Sequence, residues 1–232
     1  MCLKNTCLVF LSGQCRISEI HATLGNLMSV CKLLFMVSAV YNASANDEYE
    51  GETRMLAVRD LRGGQKLEIR AAVPEDAARV LVYTEQVSGE SSFLTFGPGE
   101  FDMTVEQEAD FFRACQRSPN RTYILGFINN ELVATANVGA SSRPRLRHRG
   151  EIGMSVSRAF WGLGIGAAML DLLVEWAQEN VMLTKLDLFV RTDNARGIPL
   201  YRSRGFIKEG VLRKQFYFDG NFYDLLAMGM EV

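Results

Sequence analysis

Apolar and polar positions follow clear periods along most of this chain, but not along its first quarter. From Lys66 onward the pattern is regular. Leu67-Glu68-Ile69-Arg70-Ala71-Ala72 alternates in the manner of a strand buried on one face. Pro74-Glu75-Asp76 then opens a helix running to about Val87, because proline and acids suit a helix N-terminus. Ser88 to Asp102, with Gly89, Gly97, Pro98 and Gly99, is predicted to be a loop. Thr104 with Gln107 three residues later predicts a capping box and a second helix. Thr122–Ile128 and Glu131–Gly139 are two strands joined by the tight-turn pair Asn129-Asn130.

The second half is equally periodic. Glu151–Ser157 is a strand with Ile152, Met154 and Val156 on one face. Gly164–Asn180 is a helix whose Ile165, Ala168, Met169, Leu172, Leu173, Trp176 and Ala177 form one apolar stripe. Lys185–Thr192 is a strand, Asn194–Arg204 a short helix ended by Gly205, and Phe206–Tyr217 with Phe222–Met230 a hairpin across Asp219-Gly220.

Residues 1–54 lack such a period. Ala22 to Tyr41 is long enough to span a membrane, but Lys32 at its centre would cost about 2.5–3.5 kcal/mol, and no membrane association is expected. A secretory signal is one alternative, with Leu33 to Val40 as its apolar core and Ala43-Ser44-Ala45 as its cleavage site. The expectation adopted is that 1–54 is a disordered extension or precedes a natural start at Met55, leaving one folded domain over 66–232.

Composition narrows the function. The chain has 232 residues, 48% hydrophobic and 22% charged, which suits an ordinary globular core. A formal net charge of -2 offers no basic excess for a phosphate backbone, so nucleic acid is not an expected partner. Cys2, Cys7, Cys15 and Cys31 cluster ahead of a lone Cys115, a poor disulfide framework and a poor zinc set. No metal is expected, and a body with one thiol suits the reducing cytoplasm.

The chemistry concentrates at Trp161-Gly162-Leu163-Gly164-Ile165-Gly166, between a strand and a helix. Glycines let the backbone approach a ligand, and the free amides of a first helical turn bind anions, so a pyrophosphate is the natural guest. Gly162-x-Gly164-x-x-Ala167 also fits the loose dinucleotide pattern. Arg158 to Trp161 intervene between strand and glycine, however, and the short remaining chain ends in a hairpin rather than further strand–helix units.

This loop together with Asn194-x-x-x-Ile198-x-Leu200-Tyr201-x-x-x-Gly205-Phe206 resembles the two signatures of the GNAT superfamily of N-acetyltransferases, in the right order. The ending Asp219-Gly220-Asn221-Phe222-Tyr223-Asp224 is similar to its ribosomal-protein and diamine branches. The resemblance implies an α/β fold of the α+β kind: a mixed, mostly antiparallel twisted sheet of about seven strands flanked by about four helices. It implies acetyl-CoA as co-substrate, a primary amine of a small molecule or protein as acceptor, and a homodimer as a common assembly. Trp161 stands where the family places Arg or Gln, and Arg158 is the candidate substitute.

Roles follow from the same resemblance. Glu151 is the candidate base and Tyr201 the acid that protonates the leaving thiolate. Met154 and Val156 offer strand amides to the pantetheine, Gly162, Gly164, Ile165 and Gly166 hold the pyrophosphate beside Trp161, and Asn194 bonds the pantetheine or nearby backbone. Independently of the resemblance, Glu100 and Asp102 in the Gly97-Pro98-Gly99 loop are candidate ligands for a cationic acceptor, or the base in place of Glu151. A base is needed because an alkylamine with a pKa near 10.4 is almost wholly protonated at pH 7. A protein that binds acyl-CoA without catalysis, as a sensor or interaction module, is the alternative.

Overall fold

The computed structural model describes residues 55–232. The interpretations placed on residues 1–54 lie outside the described residues. The described chain forms an eight-stranded sheet in the order β1-β2-β3-β4-β5-β6-β8-β7. Its strands are β1 (Met55–Asp60), β2 (Lys66–Ala71), β3 (Thr122–Ile128), β4 (Glu131–Ala140), β5 (Arg149–Val156), β6 (Lys185–Arg191), β7 (Ile207–Phe218) and β8 (Asn221–Glu231). The helices are α1 (Ala77–Glu90), α2 (Val105–Arg117), α3 (Ile165–Gln178) and α4 (Gly197–Arg202). Every pairing is antiparallel except β5 with β6.

Two apolar clusters sandwich the sheet. On one face α3 buries Ile165, Met169, Leu170, Leu173 and Ala177 against the strands. Gly126 of β3 makes room for this helix, since a Cβ there would come 3.1 Å from Met169 Sδ and 3.2 Å from Leu67 Cδ1. On the other face Val80, Tyr83 and Val87 of α1 join Ala109 and Phe112 of α2 over Leu125 and Phe127. Burial at roughly 25 cal/mol per Å2 of apolar surface is what holds the three layers.

Local signals explain the element ends. Thr104 Oγ1 accepts from Gln107 N–H at 3.3 Å and Gln107 Oε1 accepts from Thr104 N–H at 2.9 Å, the reciprocal cap expected from the sequence. Asn129 and Asn130 both adopt positive φ in the β3–β4 turn. Helix α1 begins after a 3-10 turn at Pro74–Asp76 and continues to Glu90, three residues past the predicted end. The predicted stripe on α3 turns toward Leu170, while Ala168, Leu172 and Trp176 are only half-buried. The sheet also starts before Lys66: β1 precedes it and is almost wholly exposed, so its sequence carries no period to see.

The β5–β6 pairing positions everything that follows. It consists of Arg149↔Lys185, Gly150↔Leu186 and Glu151↔Asp187 and goes no further. Strand β5 nevertheless runs on to Val156 and β6 to Arg191. The two strands part company just after Glu151, and the sheet opens into a fork.

Candidate active site

The glycine turn lies at the open end of this fork. Gly162 and Gly164 adopt φ of +85° and +96°, a left-handed backbone that side chains disfavour, and a Cβ on either would meet nothing within 4 Å. The space above both is therefore empty and their amides are approachable. Ala168 N–H, bonded to Gly164 O at 3.1 Å, is the first amide to find a helical acceptor. Among the described residues the amides from Gly162 to Ala167 have no acceptor, and Gly164 at the N-cap has no side chain to supply one. Gly166 differs from its neighbours. A Cβ there would lie 3.4 Å from Leu200 Cδ2, 3.8 Å from Met154 Cε and 3.9 Å from Val156 Cγ2, so it is the joint where α3, α4 and β5 converge. Ile165 is buried beneath the turn.

Strand β5 offers its main chain to the fork. Ser157 N–H bonds Val133 O at 2.9 Å, which makes that pair a hydrogen-bonded one. In an antiparallel ladder such pairs alternate with non-bonded ones, so Val156, opposite Ala134, and Met154, opposite Ala136, do not bond β4. Their N–H and C=O groups point into the gap. The Val156 carbonyl is already taken, accepting Trp161 Nε1–H at 2.7 Å. Trp161 thus turns back onto β5 instead of reaching outward. The guanidinium groups of Arg158 and Arg196 lie 5.7 and 4.9 Å from its ring centroid.

Glu151 sits at the crotch of the fork. Its neighbours across the sheet are Gly139 and Asp187, so little side-chain bulk flanks it on β4. The side chain is exposed, yet the surrounding protein desolvates it and raises its pKa. Asp187 adds to the rise and Arg149 opposes it. Asp187 itself is buried and doubly paired, with Arg149 Nε at 2.7 Å and Lys185 Nζ at 3.0 Å. Tyr201, on α4, is half-buried with its ring 6.1 Å from that of Phe206, and burial raises its phenol pKa. Among the described residues its hydroxyl has no hydrogen-bond partner.

The remaining predicted residues are placed less centrally. Asn194 Oδ1 accepts Gly197 N–H at 2.8 Å and so shapes the entry to α4. Glu100 Oε2 accepts Gly97 N–H at 2.8 Å, which ties that carboxylate to its own loop. Asp102 is exposed on the same loop.

Residues the sequence did not single out hold the site together. Glu90 Oε2 accepts Arg158 N–H at 2.6 Å and Ser157 Oγ–H at 3.3 Å, fastening the end of α1 to the start of the glycine turn. Burial alone would raise the Glu90 pKa, but these bonds and one from Gln86 hold it below the usual range. Tyr83 of α1 bonds Ser155 at 3.1 Å, and Ser155 bonds Thr135 at 3.0 Å, a hydroxyl series on the Glu151 face of the sheet. Arg191 at the end of β6 bonds Ser92 O at 2.9 Å and pairs with Asp193 at 2.6 Å, and its guanidinium lies 3.6 Å from the Tyr223 ring centroid. None of these had a sequence signal, because each depends on partners up to 99 positions away.

A forked mixed sheet with a bare amide cradle at its open end defines an acyltransferase-type architecture, and comparison with known proteins agrees. The model of the acetyltransferase (GNAT) family matches residues 90–206, and the chain belongs to that family. It is similar to a GNAT-family acetyltransferase from Streptococcus pneumoniae, with 32% identity and a TM-score of 0.70, covering 72% of this chain and 99% of that one. A phosphinothricin acetyltransferase from Sinorhizobium meliloti, solved with acetyl-CoA, shares the fold at 18% identity and a TM-score of 0.62, covering 72% and 88%. In sequence the chain is 24% identical over 110 residues to the L-amino acid N-acetyltransferase AaaT of Escherichia coli, covering 47% of this chain and 68% of that one. The curated relatives are matched over 45% to 68% of their own length. The sheet has eight strands where about seven were expected. Among the described residues no helix is long and apolar enough to cross a membrane.

Proposed function

We propose that this chain transfers the acetyl group of acetyl-CoA directly to a primary amine. The observation that carries the reading is the continuity of free main-chain donors: the amides from Gly162 to Ala167 at the mouth of the fork, then those of Met154 and Val156 along its wall. A pyrophosphate suits the first set, since helix-terminal amides favour anions. A pantetheine lying beside β5 as an added strand suits the second. That path leads the thioester toward Glu151.

Glu151, its pKa raised, draws a proton from the acceptor ammonium through water. The neutral amine attacks the thioester carbonyl, the C–N bond forms and the C–S bond breaks. Tyr201 gives a proton to the departing sulfur, a role suited to a phenol that burial keeps protonated, and the second proton shed by the acylated nitrogen restores the phenol. The buried free thiol of Cys115 suits a reducing compartment, and we assign the protein to the cytoplasm. The test is release of CoA thiol over a panel of amino acids, polyamines and peptides. Tight CoA binding with no turnover on any amine would replace this reading with that of a binding module.

A further inference from the structure

Asn137 interrupts the burial of β4. From Leu132 to Ala140 every other residue of that strand is buried, and Asn137 alone is half-buried. Its amide makes no hydrogen bond among the described residues. No fully enclosed side-chain polar atom among those residues lacks a partner, so the Asn137 amide touches solvent.

Register and packing fix the direction in which it reaches. On the β3 side Asn137 faces Tyr123, whose ring centroid lies 5.9 and 5.0 Å from those of Phe111 and Phe112 on α2. On the β5 side it faces Gly153. The amide leans to the second side: a Cβ on Gly153 would stand 2.6 Å from Asn137 Oδ1, 3.5 Å from its Cγ and 3.7 Å from its Nδ2. Any side chain at position 153 would push the amide away from β5 and the fork.

Glu151 shares this face of the sheet. Thr135 and Ser155, opposite one another, are joined through their hydroxyls at 3.0 Å. Side chains alternate along each strand, so Asn137, Gly139, Glu151 and Gly153 lie on the same face as that pair. Asn137 stands opposite Gly153, and Glu151 opposite Gly139. The two polar side chains therefore occupy one diagonal of the block and two glycines the other. Diagonal cross-strand neighbours are about 7–8 Å apart, and two side chains leaning inward close that gap to the span of one bridging water, roughly 5.5 Å between polar atoms. Glu151 is exposed, so solvent reaches both ends of the diagonal.

We propose that Asn137 is a positioning residue that holds, together with Glu151, the water through which the acceptor ammonium loses its proton. The inference rests on the acetyl-transfer reading above. The water takes the ammonium proton as it passes one of its own to the Glu151 carboxylate. The Asn137 amide keeps that water in place before the acceptor arrives, so no ordering is needed at the moment of transfer.

The experiment measures kcat with the amine of highest turnover in the panel, for the full chain and its variants. Asn137→Leu, similar in size, should lower kcat by about 10- to 100-fold and leave the KM for acetyl-CoA within twofold. Asn137→Ser, which keeps a hydroxyl to bond water, should recover part of the loss. In a Glu151→Gln background Asn137→Leu should cost less than threefold further, because the water then has no base to serve. An unchanged kcat, or losses that multiply in the double variant, overturns the proposal. A second measurement is independent of turnover: carbon-13 NMR titration of the Glu151 carboxyl in the full chain with CoA bound, assigned by its disappearance in Glu151→Gln. Asp187 and Arg149, the charged groups that act on Glu151, are intact in every variant. Removing a water-mediated bond to the ionised carboxylate should shift the titration upward in Asn137→Leu by about half a pH unit. If wild type acetylates no amine, the acetyl-transfer reading fails while this titration still decides on Asn137, and an unmoved curve overturns its role.

Discussion

The indole Nε1–H of Trp161 donates to the carbonyl oxygen of Val156 at 2.7 Å, locking the first position of the glycine turn to the last residue of β5. The side chain that departs from the family pattern therefore acts inward, on the geometry of the turn. Trp161→Phe keeps the ring and removes the donor. One neutral hydrogen bond contributes about 1 kcal/mol, so the Kd for CoA should rise roughly fivefold with kcat little changed. Equilibrium binding and steady-state kinetics would check this, and a collapse of kcat would show that Trp161 acts in the chemistry.

Glu90 braces the same turn from α1. Glu90→Ala removes the acceptor for Arg158 N–H and Ser157 Oγ–H, and the Kd for CoA should weaken by three- to tenfold. The brace should not depend on pH near neutrality, because the Glu90 pKa is held below the usual carboxylate range. Titrating CoA into the variant at pH 6 and pH 8 tests both statements.

Glu151 should set the basic rise of the pH–rate profile. Its raised pKa predicts that kcat/KM for the amine climbs through an apparent pKa above the ordinary carboxylate range. Glu151→Gln should flatten that limb and lower kcat by 10²- to 10⁴-fold. A limb that persists in this variant, but vanishes in Glu100→Gln, would move the base to the loop.

Tyr201→Phe removes the proposed thiolate acid with little change in shape. Turnover should fall more than the KM for acetyl-CoA rises, since the proton is needed only as sulfur leaves. An unchanged kcat would take Tyr201 out of the mechanism.

Glu108, buried without an ion-pair partner among the described residues, ties stability to pH. Its folded pKa of about 7 exceeds the usual carboxyl value, so the folded protein holds the extra proton between the two. Stability should therefore fall as pH rises from about 4.5 through about 7 and level off above. The cost at pH 8 is about 3 kcal/mol from the shift alone. Glu108→Gln should raise the denaturant midpoint at pH 8 and leave it nearly unchanged at pH 4. An equal gain at both would mean the charge is not the cause.

The main elements were legible because their signals are local. The Thr104–Gln107 cap, the Asn129-Asn130 turn and the alternation along β5 each lie within a few positions of chain. The glycine turn was legible too, although Gly166 proved to be a packing joint with Leu200, Met154 and Val156 instead of a bare cradle position. Strand β1 was not, since a strand exposed on both faces has no apolar alternation. Glu108 looked like an ordinary helical acid beside Glu106. Only the docking of α2 on β3 distinguishes the buried one from the exposed one, and that contact joins distant parts of the chain. Glu90 and Arg191 escaped notice for the same reason.

The fork between β5 and β6 also has a consequence for amide exchange. Three residue pairs join these strands, and beyond them β5 carries N–H groups at Met154 and Val156 that no strand covers. Unlike the uncovered main chain of the edge strands β1 and β7, these are amides in the middle of the sheet left open to solvent. They should trade their protons for deuterium quickly in the free protein and slowly once a strand-like ligand fills the gap, giving a readout of occupancy that needs no turnover.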